Sequence, residues 1–335
     1  MKLTPPFSID DLRESIRRDL APTEAELQLF QQLVDGDVPP LISTQVLSLI
    51  LGVSHKLLWA MASVPNQYYR RFQIAKRNGG TRDIATPRVF LKVVQRWILL
   101  NILYRRTLPP FVTGFVPGRG LMANASFHVG RKYLVKIDVQ DFFPSIGLRQ
   151  VESVYSTFGF PDKVVKLLTK LSLLQGELPQ GAPTSPQIAN LVFLPCDEQI
   201  KAVSDQYGVA YSRYADDLTF SSDVRISDGF VREVIRLIES RSFHINRQKS
   251  RSLRPGQRLM TTGMVVNVKT HPLRELRRQL RARFHQAQLM PGSFGEEAYK
   301  LLGWAAYVNM YDPELGSEYL GIAKRVLDTA RGKEE

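Results

Sequence analysis

An α+β fold, with helices framing a small antiparallel sheet, is predicted from three observations. Runs of β-branched and aromatic residues lie between turn formers at 133–139 and 211–222. Apolar residues recur at helical spacing through much of the remaining chain. With 335 residues and 44% hydrophobic content, the chain can bury a real core and exceeds one minimal domain, so two or three subdomains are expected.

In order, residues 9–64 read as helices with short breaks. Asp10 can cap the first, and Pro22-Thr23 with Glu26 has the form of a second start. Residues 42–61 are apolar at helical spacing, with Gly52 as the turn of a helical hairpin. Residues 72–75 and 83–85 read as two strands joined by a glycine turn, with Lys76 and Arg82 on the arms. Such cations can grip a triphosphate or stand as a solvated basic hairpin. A packed helix follows and stops at Pro109-Pro110. Residues 114–120 form a Gly-rich loop without a phosphate-loop pattern, and residues 124–128 a short helix, on which His128 by itself reads as a satisfied structural histidine more readily than as a catalyst.

Residues 133–139 form the strongest strand. It carries Asp138 near its end, where an acid is costly unless it binds something. Asp141, three residues on, would face the other way in an extended chain. Gln180-Gly181-Ala182-Pro183 reads as loop, with Ser185 as cap and Pro186 as first helical residue. In the run 211–222, Ala215, Asp216 and Asp217 fall at or beside a hairpin tip, where adjacent carboxylates repel unless they serve a cation. Beyond it come a helix at 229–240, short strands at 243–249 and 261–266, and a helix whose apolar stripe is Leu273, Leu276, Leu280 and Phe284. Arg274, Arg277, Arg278 and Arg281 lie off that stripe, on a face suited to a nucleic-acid backbone. Two more helices close the chain.

Composition narrows the function classes. No apolar run reaches the roughly 18 residues of a membrane span, and the N-terminus lacks a signal-peptide pattern. The single Cys196 excludes an internal disulfide and a Cys-based zinc site, and the five His residues lack paired ligand spacing, so a reducing cytosol is expected. The net charge of +13 is unevenly spread: residues 70–106 hold ten Lys or Arg and one acid, and residues 241–285 twelve and one. Ordinary solubilising charge is usually mixed in sign. Two basic blocks around an acidic centre suit a polyanion and metal-dependent chemistry. The hard oxygens of Asp138, Asp216 and Asp217 suit Mg²⁺, and two such ions about 4 Å apart can serve an in-line displacement, provided a sheet unites these distant residues.

The same residues carry a resemblance, over about residues 68–310. Tyr-Ala-Asp-Asp at 214–217 resembles the catalytic box of reverse transcriptases, Ile-Asp-Val-Gln-Asp-Phe-Phe-Pro-Ser at 137–145 their first carboxylate motif, and Leu-Pro-Gln-Gly-Ala-Pro-Thr-Ser-Pro at 178–186 their template and nucleotide loop. The resemblance implies a right-hand polymerase: an N-terminal helical region at 1–67, fingers at 68–132, a palm with an antiparallel sheet at 133–265 (part of 145–190 belonging to the fingers) and a helical basic thumb at 266–335. It implies catalysis and metal ligation by Asp138, Asp216 and Asp217 with two Mg²⁺ ions, and nucleotide contacts by Lys76, Arg82, Phe143, Gln180 and Lys249. Phe143 matches the aromatic that rejects a ribose 2′-hydroxyl, and Lys249 is either a lysine near the nucleotide or a solvated one.

Within that family the chain is most similar to bacterial retron enzymes. Asn124-Ala125-Ser126-Phe127-His128 matches their Asn-Ala-x-x-His box, and Thr261-Thr262-Gly263 stands where they have Val-Thr-Gly. The resemblance implies RNA contacts by Asn124, His128, Thr262, Gly263 and the four arginines, and a cytoplasmic bacterial enzyme. It implies a cognate structured non-coding RNA, deoxynucleoside triphosphates, priming from an RNA 2′-hydroxyl, a branched RNA–DNA product, and an effector protein in anti-phage defence. The alternatives are another defence or intron-derived reverse transcriptase with different priming, or a nucleic-acid-binding scaffold without turnover.

Overall fold

The computed structural model describes residues 8–75 and 79–331. Four helices open the chain: α1 (Ile9–Leu20), α2 (Glu24–Asp35), α3 (Thr44–Leu51) and α4 (His55–Ser63). The cap of α1 is Ser8, two residues before the expected Asp10. It forms a capping box with Asp11 and leaves Asp10 in the first turn, where its charge favours the helix N-terminus. Thr23 and Glu26 form the expected box on α2. Gly52, at φ +63°, ends α3, and the chain turns by 109° into α4.

β1 (Tyr69–Ala75) and β2 (Thr81–Pro87) form an antiparallel hairpin longer than expected from either strand. After α5 (Val89–Asn101) and the short α6 (Leu121–Ser126) comes β3 (Tyr133–Gln140), the central strand of the main sheet. Its burial alternates toward the C-terminal half, with Val135, Ile137 and Val139 in the main core and Leu134 packed on the opposite face. Then follow α7 (Leu148–Ser156), α8 (Asp162–Ser172), α9 (Ser185–Gln206), β4 (Ala210–Tyr214), β5 (Asp217–Ser222) and α10 (Asp228–Glu239). The α9 cap is Thr184, one residue before the expected Ser185, which is itself helical.

β6 (His244–Ile245) and β7 (Arg251–Leu253) both pair with β3 on the side away from β5, giving an all-antiparallel sheet in the order β4-β5-β3, with β6 and β7 one after the other along the same edge of β3. Loop residues Phe111 and Thr113 exchange backbone hydrogen bonds with Arg213 and cover the outer edge of β4. β8 (Met260–Thr261), β9 (Met264–Val265) and β10 (His271–Pro272) make a second small sheet. The expected continuous strand at 261–266 is instead the β8–β9 hairpin, because Thr262 and Gly263 both adopt positive φ (+48° and +79°) and reverse the chain.

The helices α11 (Arg274–Leu289), α12 (Ala298–Asn309) and α13 (Pro313–Arg331) have their own apolar core around Leu280, Phe284, Leu301, Tyr319 and Val326. A larger core joins the N-terminal helices, the main sheet and α7–α10. A small cluster of Ala125, Leu134, Leu259, Met264 and Val266, with Tyr307 and Tyr311 packed on it, links the two. Among the described residues no single helix is long and apolar enough to cross a membrane.

Candidate active site

The β4–β5 hairpin is built on a two-residue turn. Tyr214 pairs with Asp217, and Ala215 carries the positive φ (+58°) that a tight reversal of right-twisted strands needs. Gly114 is pressed against this tip: a Cβ there would lie 2.5 Å from the Ala215 nitrogen, so only glycine fits. Asp217 is paired in register with Asp138 on β3, and the Val139 amide donates to the Asp216 carbonyl at 2.9 Å. The sheet therefore unites Asp138, Asp216 and Asp217. Asp141 has left the strand at φ +47° and stands exposed, so its separation from Asp138 comes from a turn and not from strand alternation.

Two lysines face the carboxylates. Lys136 Nζ is 2.6 Å from Asp217 Oδ2. Lys249 Nζ is 3.2 Å from Asp138 Oδ1 without hydrogen-bond geometry, and its weak hydrogen bond goes to Oδ2 at 3.4 Å. Burial, and then the charge of Asp216, raise the Asp138 pKa against the pull of Lys249. Burial raises that of Asp217 against Lys136. Among the described residues no three acidic, His or Cys side chains are clustered to hold a metal ion in this arrangement. The donor chemistry nevertheless fits a hard divalent cation, since all three groups are carboxylates and Asp138 Oδ1 is a buried oxygen that accepts no hydrogen bond.

Beneath the tip lies a buried ion pair that sequence reasoning missed. Arg213 and Asp197 are both fully buried; Nη2 donates to Oδ2 at 2.6 Å and Nε to Oδ1 at 2.8 Å. Arg213 Nη1 donates to Asn190 Oδ1 and to the Ala215 carbonyl, each at 3.0 Å, and Tyr211 donates to Asp197 at 2.6 Å. Asn190 Nδ2 donates to the Gly114 carbonyl at 2.9 Å, closing a network that holds both the tip and the loop against it. The available signal was an arginine on the inward face of a strand and an acid inside an apolar helix, each costly unless paired.

The expectation that Asn124 and His128 face RNA is corrected, because both are fully buried with their polar atoms satisfied inside the protein. Asn124 Nδ2 donates to Thr261 Oγ1 at 2.9 Å, and Thr261 bonds Thr219 of β5 at 3.0 Å. Ser212 donates to Asn124 Oδ1 at 2.8 Å, so His128 Nε2 donates to Ser212 and Nδ1 accepts from Ser221, both at 2.7 Å. His128 thus clamps β4 to β5 as a neutral ring. The two sequence boxes meet in the interior, and the hydroxyl of Thr261, which stands where the retron pattern has Val, joins them.

Burial, reinforced by Arg131 and Lys136, pulls the His128 pKa down to about 3 from 6.5. Below pH 6.5 the unfolded chain binds a proton there that the folded protein refuses, so stability falls as pH drops. Between pH 6.5 and 5 the expected loss is about 2 kcal/mol. Urea unfolding of the protein and of His128→Gln at both pH values measures it. The variant should lack this increment, and an equal loss in both would assign it to other groups.

The remaining residues are dispersed. Arg82 is exposed on β2, paired in register with Ile74. Lys76 lies outside the described residues. Gln180 is half-buried, and its carbonyl accepts from the Ala85 amide at 2.9 Å, tying its loop to β2. Phe143 is half-buried beside Phe142, ring centroids 5.7 Å apart. Thr262 is half-buried and Gly263 exposed at the β8–β9 turn. Arg274, Arg278 and Arg281 are exposed on α11, whereas Arg277 is half-buried.

Residues 74–306 match the family model described as reverse transcriptase (RNA-dependent DNA polymerase). The Retron Mx162 reverse transcriptase of Myxococcus xanthus is 35% identical over 78% of this chain and 62% of its own length, so the match spans less than two thirds of that protein. The Retron Mx65 reverse transcriptase of the same organism is 33% identical over 89% of this chain and 73% of its own length. Among solved structures, apo telomerase from Candida tropicalis, truncated from its C-terminal domain, superposes with a TM-score of 0.44 at 11% identity, over 66% of this chain and 61% of that one. At that distance it adds nothing to the family match.

Proposed function

The chain belongs to the reverse transcriptase family, in its bacterial retron branch, and from that membership we propose that it is an RNA-directed DNA polymerase of retron type. The observation that carries the reading is the convergence of Asp138, Asp216 and Asp217 on neighbouring strands, next to Lys136 and Lys249. In this proposal residues 68–132 are fingers, 133–265 palm and 266–335 thumb. The exposed arginines of α11 face the nucleic-acid backbone.

The reaction joins a primer 3′-oxygen to the α-phosphorus of a deoxynucleoside triphosphate and breaks the bond to pyrophosphate. Asp138, Asp216 and Asp217 would hold two Mg²⁺ ions, which supply an activated hydroxyl and neutralise charge on the transferring phosphate. Arg82 and Lys76 grip the triphosphate, and Gln180 contacts the nucleotide. Lys249, whose Nζ lies 3.2 Å from Asp138 Oδ1, would give a proton to the departing pyrophosphate. Phe143 walls the sugar and excludes a 2′-hydroxyl.

Synthesis on its own structured RNA, priming from a 2′-hydroxyl, a branched RNA–DNA product and an effector in anti-phage defence complete the reading. The test is Mg²⁺-dependent incorporation on a primed RNA template, with co-purifying nucleic acid run on a denaturing gel before and after ribonuclease and debranching treatment. Incorporation plus a DNA that shifts on treatment supports the whole proposal. Incorporation without such DNA moves the priming to another mechanism, and no incorporation overturns the enzyme. In the same assay Phe143→Ala should admit ribonucleotides, lowering the preference for deoxynucleotides by roughly 10²-fold. Unchanged sugar selectivity would remove Phe143 from that role.

A further inference from the structure

Phe115 follows Gly114 in the loop pressed on the hairpin tip, and it is a bulky residue at φ +61°. Side chains of this kind rarely adopt that conformation, and they keep it only where the surroundings over-determine it. Here they do. Gly114 packs so closely on the hairpin tip that a Cβ there would lie 2.5 Å from the Ala215 nitrogen, and its carbonyl accepts from buried Asn190. Yet the residue so constrained is 45% exposed, so burial does not explain its position.

Its neighbours are informative. The Phe115 ring centroid lies 6.2 Å from that of Phe143, at 59°, and 6.2 Å from that of Tyr214, at 37°. Phe142 packs edge-on against Phe143 at 5.7 Å. Phe143 is therefore flanked by a fixed core ring and by Phe115. Phe115 also lines a cleft of about 320 Å³ with Pro183, Pro186 and Gln187, so removing its ring would join the space it fills beside Phe143 to that cleft.

We propose that Phe115 is a positioning residue for sugar discrimination: its constrained ring braces Phe143, so that the wall against the nucleotide sugar cannot swing toward the cleft. This rests on the reading of Phe143 as that wall. A rejected hydroxyl differs from an accepted hydrogen by one atom, so a wall that yields by a fraction of an ångström stops discriminating.

The test is single-nucleotide incorporation on a primed RNA template, with a deoxynucleotide and its ribonucleotide, by the full chain, Phe115→Ala, Phe115→Gly, Phe143→Ala and the Phe115→Ala/Phe143→Ala double variant. The readout is the ratio of kcat/KM for the two sugars, which a general loss of folded enzyme leaves unmoved. Phe115→Ala and Phe115→Gly should each lower the ratio by roughly tenfold. Glycine relieves the backbone and alanine does not, so equal effects assign the loss to the ring. The double variant should match Phe143→Ala, since a brace has no effect without its wall.

An unchanged ratio in Phe115→Ala overturns the proposal. So does a further loss in the double variant, which would make the two rings independent. If Phe143→Ala keeps its discrimination, the wall itself is absent and the brace falls with it. That result differs from failure of the brace alone, in which only Phe143→Ala loses selectivity.

Discussion

Replacing Asp216 or Asp217 by Asn is expected to lower DNA synthesis by at least about 10³-fold while RNA binding stays within about twofold. Each substitution keeps the shape of the side chain and removes a hard anionic oxygen. The hairpin is secured elsewhere, by the Tyr214–Asp217 pairing, by His128 across β4 and β5, and by Arg213 under Ala215. For Asp216→Asn the loss should therefore be chemical, with an unchanged thermal transition, whereas Asp217→Asn also gives up the ion pair with Lys136 and can shift it. The exposed arginines of α11 and the basic hairpin at β1–β2 lie on other elements, so RNA affinity has no reason to fall. Paired measurements of primer extension and RNA Kd test this. Full activity in either variant would remove that carboxylate from the site, and a parallel loss of RNA binding would indicate a folding defect.

Arg213→Met should be the most destabilising single change near the site. It leaves the Asp197 carboxylate fully buried without its cation, and leaves Asn190 and the Ala215 carbonyl each without a donor. Breaking a buried pair from one side costs about 3–5 kcal/mol, which lowers the Tm by on the order of 10 °C. Pairing it with Asp197→Leu replaces both charges by apolar groups and should recover much of the stability. Activity should stay low in the double variant, because the direct hydrogen bonds from Arg213 that tie the tip to α9 are then gone. A Tm unchanged in Arg213→Met would mean that water reaches Asp197. Restored activity in the double variant would mean that the tip positions itself.

The architecture was legible in sequence wherever it depends on local periodicity. The alternating strand at 133–139, the acidic hairpin and the α11 stripe all appear where spacing puts them. Misplaced boundaries have local causes that spacing does not report. At α1, Ser8 and Asp11 compete successfully with Asp10 for the cap. At 261–266, two residues of positive φ turn one expected strand into two.

By itself, the sequence determined the family and picked out three candidate carboxylates and the basic blocks around them, because these depend on residue identity and order. Tertiary structure alone decided which polar residues face inward. Asn124 and His128 match a contact box until the sheet closes over them, and Arg213 is a strand charge with no partner in sight until α9 brings Asp197 against it. Gly114 and Phe115 are one more loop until the hairpin tip is set beside them. Periodicity describes a residue relative to its own element. Burial and pairing are fixed by elements far away in the chain, and only the folded packing of those elements specifies them.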